Sequence, residues 1–207
     1  MRIGRRALLA GTAVLLGAYP ARGDIDDLLV RIARARASMR TLAGPFTQTR
    51  TIGLLATQVH STGALALVRP DRLRWSLAPP DDVTFWVTPE GLAFKSANGQ
   101  GRMPSGGAHA AVALDDLRTL LAGDLAKLGQ RWELRASHDT ADGAEIEATA
   151  KIQNAGAMRA FKLALASDLV RPTRVTLVEG PKDKTVIEFG TLTVNGAVDE
   201  ASMHPPA

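Results

Sequence analysis

The stretch GALALVRPDRLRW, residues 63–75, continued by SLAPPD at 76–81, decides the architecture. Leu65 and Leu67 alternate with Ala64 and Ala66, and Leu73, Trp75 and Leu77 alternate with Arg72, Arg74 and Ser76. A period of two belongs to a β-strand with one face turned to the interior. Arg69, Pro70 and Asp71 interrupt the alternation, and strands joined by so tight a turn pair antiparallel. Leu65, Leu67, Leu73, Trp75 and Leu77 therefore share the inward face. Arg69 has the parity of Leu65 and Leu67 but precedes Pro70, which holds it extended near a strand end. On these residues alone it is a rim arginine whose stem snorkels along apolar surface.

The same period recurs downstream in short runs at 132–136, 145–150, 161–166, 174–179, 186–189 and 192–194. Turn residues separate many of them: Asp142-Gly143, Asn154-Ala155-Gly156, the Gly180 to Asp183 segment and Asn195-Gly196. The expected bulk is a large meandering antiparallel sheet. Within the run Thr84 to Val87, Phe85 and Val87 face one way and Trp86 the other, so this strand is expected to be covered on both faces.

Two segments carry helical spacing instead. From Asp24 to Leu42, Ile25, Leu28, Leu29, Ile32, Met39 and Leu42 recur at steps of three, four and seven, with acidic residues first and Arg34, Arg36 and Arg40 last. This predicts an amphipathic helix ended by Gly44-Pro45, with its arginines on a solvated face. Leu114, Leu117, Leu120, Leu121, Leu125 and Leu128 predict a second helical segment, ended or bent at Gly123. Before it, Ser96 to His109 is rich in Gly and Ser and reads as a long connection. The fold class is α+β, mainly β: a curved sheet with helices against its concave face, enclosing either a packed core or a cavity.

Composition narrows the function. The 207 residues carry 25 Lys and Arg against 21 Asp and Glu, but Arg2, Arg5, Arg6 and Arg22 all precede Asp24, ahead of every acidic residue. From Asp24 onward the chain is formally neutral, so it lacks the basic footprint that nucleic-acid binding requires. Residues 1–23 read as an export signal: Arg2, Arg5 and Arg6, then an apolar run from Ala7 to Ala18, then small residues. Arg5-Arg6 fits twin-arginine export, and the segment equally fits the general secretory route. Residues 24–207 are of a length that forms one domain.

Chemistry is sparse. There is no cysteine, hence no disulfide, thiolate metal site or Cys nucleophile. His60, His109, His138 and His204 are dispersed without ligand spacing, and no nucleophile-elbow, zinc-protease or phosphate-loop motif occurs. Asp81-Asp82 and Asp115-Asp116 read as turn and helix-start residues, and His138-Asp139 as a polar turn. No catalytic residue, metal or cofactor is expected, and the chain is not expected to be an enzyme.

The 63–75 segment resembles the G-x-L-x-x-x-R-P-x-x-[FL]-x-W segment of the periplasmic outer-membrane lipoprotein carrier (LolA) family. Phe46-Thr47-Gln48 is similar to the family's F-x-Q, and Asn195 to Asp199 followed by Pro205-Pro206 is similar to its closing strand. The resemblance implies an incomplete antiparallel β-barrel with helices as a lid over a hydrophobic cavity. It implies a periplasmic carrier that takes acylated lipoproteins from an inner-membrane releasing transporter and passes them to an outer-membrane receptor. Arg69 matches the arginine that clasps the lid. Leu65, Leu67, Leu73, Trp75, Leu77, Phe85, Val87, Leu117 and Leu121 are the expected cavity wall. Leu73 stands where the family has an aromatic, which puts the handoff step in question. The segments at 54–63 and 117–128 also resemble a divergent LolA-related branch, for which the cargo is a non-lipoprotein envelope lipid or polyene ester. A lipoprotein-sensing regulatory module of the same fold is the competing class. The protein is expected to act as a monomer.

Overall fold

The structure is a computed structural model that describes residues 22–104, 109–123, 125–152 and 158–206. The export signal, apart from Arg22 and Gly23, and the turn expected at Asn154 to Gly156 lie outside the described residues. Helix α1 (Arg22–Ala35) precedes a meander of six strands: β1 (Thr41–Ile52), β2 (Thr57–Val68), β3 (Arg72–Leu77), β4 (Val83–Thr88), β5 (Gly91–Ser96) and β6 (Gly99–Pro104). Helices α2 (His109–Ala122) and α3 (Leu125–Arg131) follow. The second meander is β7 (Trp132–Thr140), β8 (Gly143–Ala150), β9 (Ala160–Ala166), β10 (Pro172–Val178) and β11 (Lys184–Phe189), and β12 (Thr193–Val194) closes the chain's pairing.

All pairs are antiparallel and form one sheet in the order β6-β5-β4-β3-β2-β1-β11-β10-β9-β8-β7, with β12 beside the start of β1. The two meanders are stitched together where β11 returns to β1. The free edges, β6 and β7, are consecutive in the chain and joined by α2 and α3. The barrel is therefore incomplete, and helices bridge its open side.

Register explains the core. Leu42, Leu67, Leu73, Val87, Leu92 and Met103 stand directly opposite one another in a row across β1 to β6. Ile187, Val175, Leu163, Ile146 and Ala136 make the corresponding row from β11 to β7. Directly opposed residues share a face, so both rows line the inner side, where Leu28 and Ile32 of α1, Leu117, Leu120 and Leu121 of α2, and Leu125 and Leu128 of α3 join them in one cluster. The outer face of the β4 region is covered as well. Trp86 is buried and its Nε1 donates to Ser202 O at 2.9 Å, and Arg72 contacts His204 at 3.1 Å, so the C-terminal segment supplies the second cover that the Thr84–Val87 pattern demanded.

Three boundaries differ from expectation. The first helix stops at Ala35 rather than Leu42; Met39 and Leu42 are buried, but from the linker and from β1. Gly44-Pro45 lies inside β1 because the strand changes partner there, from β12 at Leu42–Ala43 to β11 at Phe46, and a missing N–H costs nothing at such a gap. The Ser96 to His109 connection contains a hairpin: Ser96 pairs with Gly99, whose φ of +138° a side chain would resist. The leucine segment breaks where expected, at Gly123, with φ +83°.

Gly63 faces Phe46 across β1 and β2, and a Cβ there would stand 2.6 Å from Phe46 Cζ and 2.2 Å from Ser76 O. Gly63→Ala is expected to cost about 1–3 kcal/mol by overpacking, read as a lower urea midpoint with an unchanged denaturant slope. A midpoint equal to wild type would show that the strands yield freely here.

Candidate functional site: an apolar interior and its clasp

Of the expected wall residues, Leu65, Leu67, Leu73, Trp75, Val87, Leu117 and Leu121 are fully buried in the common cluster, with Leu77 and Phe85 half-buried against it. All nine lie in one apolar interior, filled by the protein's own side chains. Where that interior reaches the surface, a cleft of about 600 Å³ opens between β1, β2, β3 and β11. Phe46, Gly63, Leu77 and Phe189 line it. Trp75 stacks on Phe46 with ring centroids 3.8 Å apart and meets Phe189 edge-on at 6.5 Å. Among the expected wall residues only Leu77 lines this cleft. Nothing in the sequence pattern singles out Phe189, because it joins Phe46 through the β1–β11 register, a pairing of residues far apart in the chain.

Two arginines tie the segment behind α1 to α2 and to turns of the sheet. Arg69 Nη1 donates to the carbonyl oxygens of Arg36, at 2.7 Å, and Met39, at 3.3 Å, both in the linker behind α1. The helical pattern places Arg36 on a solvated face. It is instead 1% exposed, because α1 has already ended and the chain turns inward beneath α2. Its Nη1 donates to Leu120 O of α2 at 2.8 Å, and its Nε to Leu169 O of the β9–β10 turn at 3.2 Å. Burial, reinforced by the neighbouring Arg69 charge, pulls the guanidinium down to about 10, still well above neutrality, so the cation persists.

The acceptors are themselves held in place. Leu169 sits at φ +56°, and Asp168 Oδ1 accepts from the N–H groups of Val170 and Arg171 to fix that turn. Asn195 secures the linker from the other side: its Oδ1 accepts from Arg40 N at 2.7 Å and its Nδ2 donates to Ser38 O at 3.1 Å. The rear of α1, the end of α2 and two turns of the sheet thus meet at a few hydrogen bonds centred on one buried cation.

Residues 37–98, which hold Arg69, its acceptor Met39 and strands β1 to β5, match the family described as outer membrane lipoprotein carrier protein LolA. That segment is similar to the LolA family over about a third of the chain. No curated protein matches it in sequence. Solved structures align with the chain at low identity. A DUF1329 family protein from Desulfovibrio piger ATCC 29098 aligns with a TM-score of 0.51 and 10% identity over 86% of this chain and 95% of that one. An uncharacterized conserved protein from Thermus thermophilus gives 0.51 and 10% over 88% and 94%. A LolA superfamily protein from Nitrosomonas europaea gives 0.47 and 9% over 87% and 97%.

The polar side chains form no reactive cluster among the described residues. His60 meets Thr49 and His138 meets Thr140, each at 3.1 Å, and no group of three or more potential metal ligands occurs there. Asp116 is the exception in burial. It is 3% exposed within α2 and pairs with Arg131 at 2.5 Å, which ties α2 to the end of α3. Burial pushes its carboxyl up to about 6, although the Arg131 guanidinium pulls the other way.

A carboxyl raised on folding binds its proton more tightly in the native state. Its ionisation therefore destabilises the fold as pH rises from about 4 through about 6. Wild type is expected to lose stability relative to Asp116→Asn across that window, measured as the difference in thermal midpoint at several pH values. A difference independent of pH would show that Asp116 titrates normally.

Proposed function

We propose that this protein is a periplasmic carrier that shields the acyl chains of lipoproteins or related envelope lipids between the inner and outer membranes. The observation that carries the reading is the pair of bonds from Arg69 to the linker behind α1, with Arg69 inside the segment that matches the LolA family. They join the R-P turn of the sheet to the base of a covering helix, where a reversible cover needs its fastening.

The physical demand is clear. At about 0.8 kcal/mol per CH₂, one long acyl chain in water costs on the order of 10 kcal/mol. A carrier must bury most of that length and still release it. The interior offers the apolar surface, and the cleft at Phe46, Leu77 and Phe189 has a volume within the usual range for ligand sites. In this mechanism the closed form fills the interior with its own leucines. Cargo enters as α1 and α2 lift, and Leu65, Leu67, Leu73, Trp75, Leu77, Phe85, Val87, Leu117 and Leu121 exchange contacts with one another for contacts with the acyl chain. Arg69 and Arg36 set the cost of lifting. Loading from an inner-membrane releasing transporter and unloading to an outer-membrane receptor complete the cycle, with residues 1–23 directing export and a monomer as the working unit. Leu73, in place of an aromatic, preserves the apolar wall and changes the contact offered at unloading. No bond is made or broken, and no cofactor takes part.

A fluorescent fatty-acyl probe is expected to bind and to be displaced by an acylated lipopeptide. Arg69→Leu removes two hydrogen bonds from a cation, each contributing about 1.5–3 kcal/mol, so probe uptake or release is expected to change by tenfold or more while the circular dichroism spectrum stays native. Uptake and release at wild-type rates in a folded Arg69→Leu protein would overturn the clasp role.

A further inference from the structure

The β1–β2 hairpin ends in Leu54, 94% exposed, and Leu55, 67% exposed. These are not frayed residues. Gly53 N donates to Asp183 Oδ1 at 2.9 Å, Leu55 N to Ile52 O at 3.2 Å and Ala56 N to Gly53 O at 3.4 Å, so the neighbouring β10–β11 turn pins the tip while both leucines project outward. Adjacent leucines on an ordered, outward-facing turn gain nothing for the fold.

Register shows what surrounds them. Thr51 pairs with Lys184, Val178 with both Lys184 and Ala160, and Thr149 with Ala160, so the ends of β1, β10 and β8 and the starts of β11 and β9 gather at one end of the barrel. This rim carries the exposed cations Arg50, Lys182, Lys184, Lys151 and Arg159, and a third projecting aliphatic, Ile152, 75% exposed. Of the carboxylates flanking the adjoining β10–β11 turn, Asp183 is engaged with Gly53 and Glu179 is half-buried, while the exposed Glu133 lies at the start of β7, four strands away from β11. A leucine point within a basic collar complements a bilayer with anionic headgroups, since aliphatic side chains enter the acyl boundary while lysine and arginine remain at the phosphates.

We infer that the β1–β2 tip is a membrane-docking finger, which inserts Leu54 and Leu55 into the interfacial layer of an anionic bilayer with Arg50, Lys182 and Lys184 on the headgroups. The inference is independent of the cleft and of the carrier reading.

The chain contains no cysteine, so Leu54→Cys provides a unique thiol for a nitrobenzoxadiazole dye. Thr173→Cys, exposed at the opposite end of the barrel, serves as control. With vesicles of equal parts phosphatidylglycerol and phosphatidylethanolamine, the dye at position 54 is expected to shift to the blue and brighten several-fold. It should be quenched by lipid-borne nitroxide and return to its aqueous emission at high salt, while the dye at 173 stays unchanged. Replacing both leucines by aspartate is expected to weaken partitioning by about tenfold per leucine, with acyl-probe uptake in solution unaffected. A dye at 54 that keeps its aqueous emission would overturn the inference, including the case in which the tip binds only proteins. An equal response to phosphatidylcholine vesicles would overturn the role of the basic collar. Failure of acyl-probe uptake with normal tip insertion would instead count against the carrier reading alone.

Discussion

An open antiparallel sheet whose concave side is largely apolar has to be covered, and that constraint governs the rest of this molecule. The two inner rows, one across β1 to β6 and one from β11 to β7, provide an extended apolar surface, while the edges β6 and β7 are not paired with each other. The chain meets the constraint with the segment that connects those edges. Helix α2 packs against β2 and β4, α3 and α1 pack against β7, and their leucines join the core cluster. Because the cover is made of helices rather than a further strand, it is fastened by side chains instead of by a continuous ladder. Arg36 is the centre of that fastening: it reaches α2 through Leu120 O and the sheet through Leu169 O, and its own carbonyl receives Arg69.

Such a fastening is local and polar, whereas the surface beneath it is extended and apolar. The two contribute differently to stability. Leucine packing supplies the non-directional bulk of the cohesion, and the arginine hydrogen bonds join particular elements to one another. A buried, persistent cation is suited to this, since its bonds are strong when made and leave an uncompensated charge when broken. A cover with a discrete release point is what a container for acyl chains requires. The same architecture leaves Leu54 and Leu55, at the opposite end of the barrel from Arg69, outside the core cluster.

The period-two stretch at 63–77 made the antiparallel sheet legible, because alternation and a tight turn are local properties. The double covering of Thr84–Val87 was equally legible, down to the buried Trp86. What stayed hidden was non-local. The return of β11 to β1, which creates the Phe46–Trp75–Phe189 cluster, leaves no trace in either segment alone. Arg36 followed a helical pattern that tertiary structure cut short at Ala35, so a residue that looked solvated became the most enclosed charge among the described residues. Pro45 looked like a terminator and proved to occupy the interval of β1 where the partner strand changes. Arg69 on parity alone is a rim arginine, and only the resemblance of its R-P motif suggests a clasp; its partners, the carbonyls of Arg36 and Met39, are non-local and have no signature in the sequence.

The central claim is that the interior exchanges its own leucines for acyl chains. The most direct measurement is mass spectrometry, under native conditions and after lipid extraction, of the protein recovered from a bacterial periplasm. Acylated peptides or lipids in stoichiometric amounts are the predicted result. A protein recovered empty that also refuses added acyl ligands would contradict the carrier mechanism.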